Sequence, residues 1–174
     1  MSEVSKAFVT KARSLLKEYF SKIERCLYEV TDEQVWQRPN ESSNSIANLM
    51  LHLCGNARQW IVSGIGQTED KRERQKEFDA REGLRRKDLL NIMRQTLSEV
   101  DGVLAGLSED DLLSLRHIQG CDVTVIEAVF HVVEHFSMHT GQIILLMKMI
   151  ADKDMHFYEF PDGKVKKTTE RRCD

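Results

Sequence analysis

The residues best suited to chemistry in this chain are histidines repeated four apart. His131, His135 and His139 stand at successive i, i+4 positions. On a helix each such step turns the side chain by about 40°, so the three imidazoles fall within about 80° of one another. Imidazoles at this spacing can take neighbouring positions around one divalent ion, which is why it recurs in metal sites. The same spacing also arises from packing or from a solvated helix face, and two neutral ligands bind an ion weakly. A third ligand is therefore required. His52, the one histidine on the second long helical segment, is the natural candidate, whereas His117 and His156 fall in less regular stretches.

The segment carrying the repeat has the clearest helix start in the chain. Thr124-Val-Ile-Glu127 forms a capping box, and helical periodicity then holds to about Ala151. Its apolar stripe is Val125, Val129, Val132, Phe136, Ile143, Met147 and Ile150, with His139 nearest the centre and His135 toward the edge. His131 lies farther out, and Gln142 shares that edge. The second helix begins near Asn44 or Ser45 and buries Ile46, Leu49, Met50, Leu53, Ala57, Trp60 and Ile61. His52 sits about 120° from the centre of that stripe, on a flank shared with Asn48, Asn56 and Gln59. A site there is expected to open to one side of the bundle. Leu51 and Val62 make the second helix apolar on two faces, which calls for deep burial or a partner subunit.

Two further helices complete the pattern, one from Phe8 through Val30 and a third from about Lys87 to Leu104. Between the second and third, residues 67–86 are mostly charged and predict a long surface excursion, with or without a short helix. Four long helices and no alternating apolar pattern predict an all-α four-helix bundle over residues 1–152, followed by a C-terminal tail over 153–174. The tail is basic at its end, through Arg171 and Arg172.

Composition excludes several alternatives. The chain has 174 residues, 41% hydrophobic and 30% charged, enough for one domain with a real core. Its 25 Lys plus Arg against 28 Asp plus Glu give a net charge of −3, which gives no reason to expect nucleic acid or anionic lipid as a partner. No apolar run reaches the roughly 20 residues needed to span a bilayer. Cys26, Cys54, Cys121 and Cys173 form no Cys-x-x-Cys pair, and no secretory leader is present, so they are expected to be reduced thiols of a cytoplasmic protein.

The last helix reads Glu134-His135-Phe-Ser-Met-His139-Thr-Gly141-Gln142, and the second reads Asn44-Ser-Ile-Ala-Asn48-Leu-Met-Leu-His52-Leu-Cys-Gly55-Asn56-Ala-Arg58-Gln59-Trp60. This wording, with a charged segment ending in Glu77-Phe78, resembles the DinB-like superfamily of four-helix metalloproteins across nearly the whole chain. The resemblance implies that His52, His135 and His139 ligate one divalent metal. His131, Gln142, Asn56 and Gln59 would stand behind the ligands or in the pocket wall, and Gly141 would serve a close helix contact. An open position on an all-imidazole site suits zinc or nickel and points to a reactive ion. The resemblance further implies a metal-dependent transferase activating a low-molecular-weight thiol, and a homodimer. A non-catalytic stress-associated metal-binding protein and a metal-dependent hydrolase are the alternatives. Arg72 or Arg74 would grip an anionic group if the charged segment forms a lid, and would be solvated if it does not.

Overall fold

The computed structural model describes residues 1–167, so the expectations for Arg171, Arg172 and Cys173 lie outside the described residues. Helix α1 (Glu3–Tyr28) starts at Ser2, whose hydroxyl accepts from the backbone N–H of Ser5. Helix α2 (Ile46–Ala57) starts at Ser45, where the Ser45 hydroxyl and the Asn48 side chain form a reciprocal capping box. Beyond Ala57 the helix widens into a π-helical stretch, Arg58–Ile65. Short α3 (Arg74–Asp79) precedes α4 (Arg86–Ala105), and short α5 (Glu109–Leu113) precedes a hairpin of β1 (Leu115–Ile118) and β2 (Cys121–Thr124). Helix α6 (Val125–Ala151) opens on the Thr124–Glu127 capping box that the sequence marks.

The four long helices pack as a bundle in which α1 and α2 lie diagonally, each flanked by α4 and α6. Their inward residues form one core that includes Ile23, Leu27, Leu53, Met93, Phe136 and Ile143. Both apolar faces of α2 are used within the chain. Leu49, Met50, Leu53 and Cys54 are buried, and Leu51 and Val62 pack partly covered against the same core. The deep-burial alternative therefore accounts for the two-faced pattern, which gives no support to pairing through α2.

The hairpin departs from the all-helical pattern that the sequence predicts. Its strands are four residues each, and only Ile118 is buried, so no alternation marks them. What makes it is the turn: Gln119 and Gly120 both have positive φ, 52° and 80°, as a two-residue turn matched to strand twist requires. The last described residues run back along α1. Arg25 Nη2 donates to the Met155 carbonyl at 2.7 Å, Lys22 Nζ donates to the Tyr158 hydroxyl at 2.6 Å, and β3 (Tyr158–Glu159) pairs with β4 (Lys166–Lys167). No helix is long and apolar enough to cross a membrane among the described residues.

Phe136 is fully buried one residue after His135, so its packing fixes the part of α6 that carries the repeat. Phe136→Ala removes a large core side chain without touching a polar group. It should lower the unfolding free energy by about 3–5 kcal/mol, read from urea denaturation.

Candidate metal centre

The antiparallel packing of α2 on α6 brings His52 into the i, i+4 pair. The ligand-capable atoms of His52, His135 and His139 all lie within 4.8 Å of one another. Nε2 of His52 and Nε2 of His135 are 2.8 Å apart, and the His139 ring stands 5.2 Å from that of His52 and 4.4 Å from that of His135. Two imidazole nitrogens on one tetrahedral zinc stand about 3.3 Å apart, so the 2.8 Å His52–His135 pair would open by about half an ångström around an ion.

The hydrogen bonds behind the rings fit the same use. Nδ1–H of His52 donates to Glu77 Oε2 at 3.0 Å, and Nδ1–H of His139 donates to Gln142 Oε1 at 2.7 Å. Each bond fixes the tautomer that leaves a lone pair on Nε2, the arrangement metal-ligating histidines require. Arg72 Nη2 also lies 3.1 Å from His52 Nδ1, but it donates to Glu77 Oε2 at 2.9 Å, so both cationic and imidazole donors converge on the carboxylate.

Glu77 has no site role in the sequence reading, although its neighbours Arg72 and Gln59 do. The carboxylate receives Arg72 Nε at 2.8 Å on one oxygen and Arg72 Nη2 on the other, a two-pronged ion pair nearly out of solvent. Burial raises the Glu77 pKa, but the hydrogen bonds from Arg72 and His52 outweigh it and hold the carboxyl below its ordinary value. Arg72 Nη1 donates to Gln59 Oε1 at 2.8 Å, and Gln59 Nε2 donates to Asp70 at 2.7 Å. The Phe78 ring lies 4.7 Å from that of His52, and the Asn48 amide donates to the carbonyls of Glu77 and Ala80. Residues 70–80 thus form a strap across the polar flank of α2.

This strap changes two expectations. The flank bearing His52 is closed, with His52 only 5% exposed. The accessible side of the cluster is α6, where His135 and His139 are half-buried and Gln142 is exposed. Arg72 has its donors engaged within the protein, while Arg74 is exposed with its guanidinium 4.9 Å over the Phe78 ring. Gly141 is also placed differently from expectation: a Cβ there would meet nothing within 4 Å, so no close helix contact explains it.

His131 lies behind His135, with ring centroids 5.5 Å apart, and against Trp60 at 4.1 Å. Asn56 Nδ2 stands 3.2 Å from His131 Nε2. Asn56 Oδ1 and Trp60 Nε1 are buried without a hydrogen-bond partner, leaving an acceptor and a donor beside the histidines. Cys54 is buried on another side of α2, and burial pushes its thiol up to about 12, consistent with a packing role.

All three histidines of α6 have lowered pKa values. Burial is the main cause for each. For His135 repulsion from His139 and His52 adds to it, bringing the value down to about 3, whereas the Gln142 hydrogen bond opposes the shift at His139. Neutral imidazoles are the form that binds metal.

Residues 3–164 match the family described as "Protein of unknown function (DUF1572)". No curated protein matches the chain. Among solved structures, a conserved protein from Enterococcus faecalis is similar over 83% of this chain and 97% of its own, with 15% identity and a TM-score of 0.71. A DinB-like protein from Bacillus subtilis is similar over 83% and 94%, with 15% identity and a TM-score of 0.64. A mycothiol-dependent maleylpyruvate isomerase is similar over 82% of this chain and 67% of its own, with 16% identity and a TM-score of 0.57. At these identities the likeness establishes the fold.

The lowered His135 pKa has a measurable consequence for the metal-free protein. The unfolded chain takes up a proton there as the pH falls through about 6.5, while the folded chain resists until about 3. This contribution leaves stability intact above pH 6.5 and erodes it progressively toward pH 3. Thermal unfolding of metal-free protein between pH 7.5 and 4.5 should show a shallower decline in His135→Gln than in the parent. Identical declines would count against the assignment.

Proposed function

The chain belongs to the DUF1572 family, which is itself DinB-like, and from that membership we propose that it holds one divalent metal ion through Nε2 of His52, His135 and His139 and activates a low-molecular-weight thiol. The observation that carries the proposal is the convergence of three imidazoles whose back nitrogens, on two of the three, are tied to Glu77 and Gln142. Zinc or nickel suits an all-imidazole set. When bound, such an ion keeps its double positive charge, leaves a position open and acidifies a thiol held there.

The chain's own residues then have separable tasks. His52 is the buried, fixed member of the set, and His135 and His139 line the half-open side from which a small molecule enters. Trp60 Nε1–H and Asn56 Oδ1 offer a donor and an acceptor to a polar group of the substrate. The thiol proton leaves to solvent on that open side, and sulfur bonds to an electrophilic carbon of the acceptor as the acceptor's leaving group departs with its electron pair. The likeness to a mycothiol-dependent isomerase supports thiol chemistry at the level of fold analogy alone.

Elemental analysis of protein purified without added metal should give one zinc or nickel per chain, absent from His52→Ala and from His135→Ala. Retention in either variant would refute the triad. Loaded protein should consume a thiol with an electrophilic acceptor faster than metal-free protein does, and no rate above that of metal-free protein with any of bacillithiol, mycothiol and glutathione would remove the transferase reading while leaving the metal site standing.

The expected homodimer is proposed through α6. Phe130, Met138, Leu145 and Met149 are 62%, 53%, 59% and 64% exposed and share one side of that helix with Gly141. Glu134 and Lys148 lie equally far on either side of Gly141, so two copies crossing there in antiparallel fashion set opposite charges together. Light scattering should report a dimer for the parent and a monomer for Leu145→Glu; a monomeric parent would dispose of the idea.

A further inference from the structure

We propose that Glu77 is the positioning residue for His52 and that the strap of residues 70–80 closes in thermodynamic linkage with metal binding. The inference rests on the three-histidine metal site proposed above and assigns new roles to Glu77, Arg72 and Gly55.

Three independent features converge on this role. First, the Glu77 carboxylate accepts Nδ1–H of His52 at 3.0 Å and so presents Nε2 to the cluster. Second, the carboxylate is itself immobilised, gripped at both oxygens by Arg72, which Gln59 holds in turn. The side chains of Arg72 and Glu77 are 3% and 11% exposed, so neither partner is free to wander. Third, α2 carries a glycine where the carboxylate sits. A Cβ on Gly55 would stand 1.9 Å from Glu77 Oε1 and 2.9 Å from Arg72 Nε. A helix interior has a cost of roughly 1 kcal/mol for glycine over alanine, so the position needs a reason, and the close approach of this ion pair supplies it.

Function follows from the geometry. A carboxylate behind a ligating imidazole fixes the ring's tautomer and orientation and raises its basicity. Glu77 comes from the strap rather than from the bundle, so this support exists only while the strap lies on α2. Closing the strap therefore favours the ion, and by reciprocity the ion favours the closed strap. Asn48 contributes to closure from the opposite end, through its bonds to the carbonyls of Glu77 and Ala80.

The test uses the whole chain, zinc as the probe and two variants with different failure modes. Glu77→Gln keeps shape and an acceptor but loses the charge. Gly55→Ala keeps every polar group and displaces the flexible end of Glu77. Zinc affinity, measured by competition with a chromophoric chelator, should fall about 10- to 100-fold in Glu77→Gln, and it should fall in Gly55→Ala as well. Lys76→Ala, in the exposed part of the strap, should match the parent. Cobalt substitution should give an altered visible spectrum in both weakened variants, which a general loss of stability would not produce. Amide exchange over residues 70–80 should slow when zinc is added to the parent and slow less in Glu77→Gln. Parent-like zinc affinity in Glu77→Gln, or no zinc-dependent slowing in the parent, would overturn the linkage while the metal site stands. A parent that binds no zinc would overturn both. Should Gly55→Ala fail to fold, Glu77→Gln, which adds no heavy atom, decides the matter alone.

Discussion

A polar flank buried on α2 is the constraint around which the rest of this protein is arranged. Asn48, His52, Asn56 and Gln59 follow one another along that flank, and Asn48, His52 and Asn56 are almost wholly out of solvent. Buried polar groups must find partners or incur a penalty of about 1–3 kcal/mol each. The bundle core cannot supply those partners because its inward residues are aliphatic and aromatic. Two other parts of the chain meet the need. Helix α6 brings His131, His135 and His139 to one side, and the strap brings Asp70, Arg72, Glu77 and the carbonyls of Glu77 and Ala80 to the other. The long charged connection is thus the cover for the flank.

The strap is in turn tied to the rest of the fold. Arg38, from the connection between α1 and α2, donates to Asn48 Oδ1 at 3.0 Å and to the Phe78 carbonyl at 2.7 Å. Trp36 Nε1 donates to the Leu84 carbonyl at 2.9 Å, and Arg86 at the start of α4 binds Asp32 through both its backbone N–H and its Nε. The connection between α1 and α2 is therefore bonded at several points to the strap and to the start of α4. A strap held by isolated surface ion pairs would contribute little. This one is held by buried, multiply bonded groups, which gives it a defined position against His52.

Much of this was legible in the sequence because it depends on local pattern. The Thr124–Glu127 capping box, the 3.6-residue stripes and the i, i+4 histidines on α6 all express the geometry of a single helix. His52 is harder, since angle alone puts it on a flank and its place as a ligand rests mainly on the resemblance in wording. Glu77 was beyond reach: it stands 25 residues from His52 in a charge-rich stretch without periodicity, and the pairing depends on how the strap lands. The quoted Glu77-Phe78 wording was the one available signal, and both residues do touch His52. Gly55 and Gly141 make the same point in opposite directions. At Gly55 no local pattern signals the close approach of Glu77 and Arg72, whereas Gly141, beside the histidine pair, invites a close contact and faces open space.

The placement of Glu77 also bears on which chemistry the site favours. Hydrolysis by an activated water calls for a carboxylate or imidazole free to take a proton close to the reacting centre. Glu77 is the carboxylate beside the cluster, but its oxygens are occupied by Arg72 and His52, and those bonds hold its pKa below the ordinary value. Glu134 is exposed on α6, away from the buried side of the helix. Thiol activation makes a smaller demand. A thiol is already far more acidic than water, and a doubly charged ion in a neutral imidazole set acidifies it further without a dedicated base. A site whose best-placed carboxylate serves to orient a ligand is thus better matched to forming a thiolate than to delivering hydroxide. For the same reason the proposed thiol route would ask most of the half-open face formed by His135 and His139, the side of the cluster that solvent reaches.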